Sequence, residues 1–99
     1  MTVYWTQNAK RELRAIHDFI AQNSTRYAQG MVDRITRKTE RLARWPQLGA
    51  QVPEYSDETI REILVLPYRI IYRTRGSRIE VLSVVHSAMQ LPNEAPGDA

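Results

Sequence analysis

Tyr68-Arg69-Ile70-Ile71-Tyr72-Arg73 and Ile79-Glu80-Val81-Leu82-Ser83-Val84-Val85, separated by Thr74-Arg75-Gly76-Ser77 and closed by His86, form the stretch on which the fold turns. Two runs rich in β-branched and aromatic residues around a short glycine-containing loop predict a β-hairpin. Its arginines and its imidazole are unusual cargo for a purely structural hairpin, and they are expected to lie close together in space.

Upstream of the hairpin, Ile60-Arg61-Glu62-Ile63-Leu64-Val65-Leu66 predicts another strand, which Pro67 interrupts. The segment 47–57 carries Gly49 and Pro53 without periodicity and is expected to be a loop crossing from helices to sheet. Before it lie two helical patterns. Ala9, Leu13, Ile16 and Ile20 share one face of a helix that Thr6 caps and that runs to about Gln22. Asn23 and Ser24 mark a tight turn. Ala28, Val32, Ile35, Thr39 and Leu42 then form a narrow seam suited to antiparallel packing on the first helix, and Pro46 ends the pattern. Val3 to Trp5 reads as a short strand whose place in the sheet the pattern leaves open.

The order strand, helix, helix, strand, strand, strand predicts an α+β fold, a helical hairpin on one face of a small, mainly antiparallel sheet. A chain of 99 residues with 42% hydrophobic residues suits a single domain, placed at residues 1–91. The tail from Leu91 to Ala99 has few apolar groups, and residues 92–99 are expected to be frayed.

There is no cysteine, which removes disulfides, thiolate metal sites and thiol nucleophiles, and suits the cytoplasmic location expected of this chain. No segment approaches the roughly 20 apolar residues of a membrane span, so no membrane association is expected. Residues 1–50 carry nine Lys or Arg against four Asp or Glu, a balance of +5, and residues 51–99 carry five against seven, a balance of −2. Much of the excess lies opposite the second helix's seam, at Arg34, Arg37, Lys38, Arg41 and Arg44. That stripe is either solvated surface or a contact for a polyanion or acidic partner.

Gly-rich phosphate loops, zinc-binding His-Glu helix motifs and nucleophile elbows are all absent from the sequence. His17 and His86 are too few and too differently placed to suggest a metal cluster, so neither metal nor cofactor is expected, and His17 reads as a boundary residue of the first helix. The residues suited to chemistry are Glu54, Arg61, Arg69, Arg73 and His86. A carboxylate, arginines and an imidazole supply a base, cations for a phosphorane and an acid, the needs of metal-free RNA cleavage. Arg69 and Arg73 share a strand face, where salt bridges to Glu62 or Glu80 are the structural alternative.

Trp5-Thr6 before a helix pair, then Val52-Pro53-Glu54, Ile60-Arg61-Glu62, Tyr68-Arg69-Ile70-Ile71-Tyr72 and Val81-Leu82-Ser83-Val84-Val85-His86, resemble the RelE/ParE superfamily of bacterial toxins over residues 3–91. The resemblance implies the toxin of a type II toxin–antitoxin pair, a growth-arresting protein of the kind linked to plasmid stabilisation, neutralised by a ParD- or RelB-like antitoxin. In the RelE branch, which cuts mRNA on the ribosome, Arg69, Glu54 and His86 would be the active-site arginine, carboxylate and imidazole. The ending His86-Ser87-Ala88-Met89 is similar instead to the His-x-x-Met ending of ParE toxins, which poison DNA gyrase by binding and are not nucleases. On that reading Arg61, Arg73, Arg37, Lys38 and Arg41 are the expected contacts to target or nucleic acid, and in either branch Met89 is expected to be an apolar plug beneath the sheet.

Overall fold

The computed structural model describes residues 1–97. Strand β1 (Thr2–Trp5) leads into helices α1 (Gln7–Ala21) and α2 (Thr25–Glu40). A single 3-10 turn at Arg41–Ala43 follows, then strands β2 (Ala50–Gln51), β3 (Ile60–Val65), β4 (Tyr68–Arg75) and β5 (Arg78–His86). The five strands form one sheet in the order β1–β5–β4–β3–β2, in which β1 runs parallel to β5 and every other pairing is antiparallel. The α+β layering expected from the sequence is the observed one, and β1 takes the edge beside β5.

Local chemistry explains where the helices begin. Thr6 Oγ1 accepts the Ala9 amide at 3.1 Å and Ser24 Oγ accepts the Tyr27 amide at 3.1 Å, each satisfying a first-turn N–H that no helical carbonyl reaches. The β4–β5 turn is tighter than the four-residue loop expected. The strands extend to Arg75 and Arg78, and Gly76 takes the left-handed conformation, φ 57°, that a two-residue turn demands. Pro67 does end β3, in the turn it shares with Leu66.

The sheet buries apolar side chains on both faces. Toward the helices lie Ile63, Val65, Tyr68, Ile70, Tyr72 and Ile79, packed against Ala9, Met31, Ile35 and Leu42. On the back face, Ile60, Ile71 and Val85 are covered by Val52, Tyr55 and Leu91. Two expectations for the C-terminus are corrected here. Met89 is 56% exposed and is no plug, whereas Leu91 is 7% exposed and fills the back-face cluster. Pro92 O accepts the Tyr55 hydroxyl at 3.0 Å and Ala95 packs on the same cluster, so the segment after Leu91 is engaged with the sheet through these residues. Residues 98 and 99, the end of the segment expected to fray, lie outside the described residues.

The segment between α2 and β3 also departs from a plain loop. Ala50 and Gln51 pair with Glu62 and Arg61 as an edge strand. Gly49 makes this pairing close: a Cβ there would stand 2.4 Å from the Glu62 carbonyl oxygen and 2.8 Å from the Tyr72 hydroxyl. That hydroxyl accepts the Gly49 amide at 3.0 Å and donates to the Pro46 carbonyl at 2.8 Å.

Candidate functional site

The back face of β3 and β4 brings Arg69, Glu62 and Glu54 together. Arg69 and Glu62 project from neighbouring strands on the same face as Ile71, and the 52–55 segment delivers Glu54 across it. Arg69 Nη1 and Nη2 donate to the two Glu54 carboxylate oxygens at 2.9 Å each, a bidentate fork, while Nε donates to Glu62 Oε1 at 2.6 Å. The side chains of Arg69 and Glu62 are 11% and 14% exposed, and that of Glu54 is 42% exposed. The hydrogen bonds from Arg69 hold the Glu54 carboxyl below its ordinary range. Its hydrogen bonds to Glu54 and then to Glu62 push the Arg69 guanidinium, already cationic, still higher. One guanidinium facing two carboxylates is neutralised, and the hydrogen-bonding directions suited to a phosphate are occupied.

His86 is not part of this cluster. It pairs directly opposite Tyr68, and the two rings meet edge to face at 5.9 Å. Directly paired residues share a face, and Tyr68 belongs to the helix side, so His86 and Arg69 project from opposite faces of the sheet. This corrects the expectation that the hairpin gathers its basic and imidazole groups in one place. His86 Nδ1 accepts the Ala88 amide at 3.0 Å, and the Met89 amide donates to the His86 carbonyl at 2.9 Å. The strand therefore ends in a compact turn with His86, Ser87, Ala88 and Met89 all exposed.

The other candidates lie elsewhere. Arg61 Nη1 donates to the Gly49 carbonyl at 2.9 Å, tying the edge strand to β3. Arg73 is half-buried in β4 opposite Ile60 and Glu80. Lys38 Nζ donates to the Leu64 carbonyl at 2.7 Å, while Arg37 and Arg41 stand exposed on the outer side of α2 and the turn after it. Among the described residues no group of three or more His, Cys, Asp or Glu could hold a metal ion, and no helix is long and apolar enough to cross a membrane.

The acceptor that stabilises β5 is Glu12, which the sequence does not single out. β5 carries one extra residue, Leu82, between the Ile71–Ser83 and Tyr72–Val81 pairs, so the strand bulges where β1 turns away into α1. Glu12 Oε1 accepts the Ser83 hydroxyl at 2.7 Å and the Val84 amide at 3.2 Å, and Asn8 Nδ2 donates to the Leu82 carbonyl at 3.0 Å. A polar residue near the start of an amphipathic helix is the one sequence cue, and it is weak.

Comparison with known proteins yields concordant matches. The family model described as ParE toxin of type II toxin–antitoxin system, parDE, matches residues 3–91. The chain is 33% identical over 87 residues to the toxin RelE2 of Caulobacter vibrioides, which covers 87% of this chain and 94% of that protein. A chain of the chromosomal ParDE TA system from P. aeruginosa superposes with a TM-score of 0.73 at 24% identity, over 87% of this chain and 95% of that one, a likeness of fold.

Proposed function

The chain belongs to the ParE family of toxins of type II toxin–antitoxin systems, and from that premise we propose that it arrests growth by binding DNA gyrase, without nuclease chemistry of its own. The observation that carries this reading is the closure of Arg69. A ribonuclease of this fold would need the arginine free to meet a phosphorane and an imidazole on the same side to move a proton. Arg69 is instead committed to Glu54 and Glu62, with His86 on the opposite face. What the end of β5 offers a large partner is a contact surface, the exposed turn from His86 to Met89.

A gyrase poison works by holding the enzyme with its DNA cleaved, so the toxin itself makes and breaks no bond. A cognate antitoxin is the second partner, in line with the ParDE system to which the matching structure belongs. Purified toxin added to gyrase and relaxed plasmid is expected to suppress supercoiling and accumulate cleaved DNA. Unchanged supercoiling at saturating toxin, together with cut message in a translation extract, would assign the chain to the ribosome-dependent endonucleases instead.

A further inference from the structure

A different surface gathers cations on the outer side of α2. Cations at positions 34, 37, 38, 41 and 44 recur at steps of three and four, which α2 and its following turn hold on one side. Arg34, Arg37, Arg41 and Arg44 are exposed, and with Lys38 they line one open groove in which Glu40 is the one carboxylate among the described residues. Arg37 and Arg41 have no carboxylate within ion-pairing distance among the described residues. Like charges at these spacings destabilise a helix, so the arrangement gains most from a ligand that neutralises several of them at once.

At the end of this groove stands Trp45. Its ring is half-exposed, and its backbone is fixed by bonds from its amide to the Arg41 carbonyl at 2.9 Å and from the Leu48 amide to its own carbonyl at 3.0 Å. The Arg44 guanidinium lies 5.1 Å from the ring centroid. Trp45 and Arg44 also line an adjoining cleft, whose other charged side chains are Arg61 and Glu58. An aromatic ring with a guanidinium over it, at the end of a row of cations, has the makings of a base-stacking platform.

We propose that this groove binds single-stranded nucleic acid, its cations following the phosphates while an unpaired base stacks at Trp45. From Arg34 to Arg44 the chain covers about 15 Å at helical rise, enough for about four phosphates of a stacked strand. A duplex would meet the same cations but keep its bases from Trp45, and an acidic polypeptide would have no ring to stack. The inference is independent of whether the toxin's target is gyrase or the ribosome.

The test is fluorescence anisotropy of the full chain with labelled twelve-nucleotide oligo-dT and oligo-rU, read alongside tryptophan emission over a salt series. Both strands are expected to bind or one to be preferred; a preference identifies the strand as DNA or RNA, and binding of neither overturns the proposal. Trp45→Ala should weaken binding roughly 5- to 100-fold with the salt slope kept, and Trp45→Phe should retain most affinity while losing the quench. Arg37→Ala with Arg41→Ala should weaken binding at least about tenfold and lower the slope by about 1.4. Arg11→Ala with Arg26→Ala removes the same charge elsewhere and should bind as the parent does. Equal weakening by that control pair, or binding of a duplex or polyglutamate as tight as oligo-dT with Trp45→Ala silent, would overturn the proposal. Circular dichroism of each variant separates misfolding from lost contact.

Discussion

At the scale of single residues, Arg69 shows how one set of side chains can read as machinery and be built as structure. Glu54 and Arg69 are the residue types an acid–base site needs, and Glu62 is visible in the sequence as a salt-bridge partner on the neighbouring strand. Which role prevails depends on geometry: three guanidinium nitrogens donate to two carboxylates at 2.6–2.9 Å. Because the fold lowers the Glu54 pKa, the pair's contribution is complete above the ordinary carboxyl value of 4.5 and lost as pH falls through the lower folded value. Glu54→Gln is therefore expected to lower the melting temperature near pH 7, by an amount corresponding to about 0.5–1 kcal/mol for a partly exposed pair. The gap to the parent should close as acid protonates Glu54. A gap that stays constant or grows in acid, in melts recorded across pH, would contradict this role.

At the scale of elements, β5 departs from the regular hairpin that its sequence suggests. Val81-Leu82-Ser83-Val84-Val85 is a nearly unbroken apolar run, and such a run carries no period from which a slip can be seen. The bulge at Leu82 switches the helix-facing residues from Ile79 and Val81 to Val84, which puts Val85 on the back face. The freed backbone groups are met by Asn8 and Glu12 from the first turns of α1. Removing that acceptor leaves a partly buried hydroxyl and amide unpaired, so Glu12→Ala should cost about 1–3 kcal/mol in urea unfolding. Glu12→Gln keeps an acceptor oxygen and should recover much of the loss; equal stability of parent and Glu12→Ala would show that water satisfies the bulge. The helices were legible because caps and apolar spacing are local signals. The bulge was not, because it depends on the β1-to-α1 junction meeting β5, two segments more than 70 residues apart in the chain.

At the scale of the whole molecule, the sheet needs covering on both faces, and the helices cover one. The back face is closed by Val52 and Tyr55 from the segment before β3 and by Leu91 from the segment after β5. Leu91→Ala is expected to lower stability by about 2–3 kcal/mol in denaturant unfolding, a cost that a frayed residue would not show. The same distinction runs through the molecule. By itself the sequence determined the α+β order of the main elements, the capped helical hairpin, strands β1, β3, β4 and β5, the absence of thiol chemistry and the basic stripe on α2, since each follows from periodicity, caps or composition within a short window. Only the tertiary structure decided that β1 pairs in parallel with β5, that Leu91 rather than Met89 fills the back face, and that Arg69 and His86 project to opposite sides. Those outcomes depend on strand register and on contacts between distant segments, where a shift of one residue exchanges the two faces of a sheet.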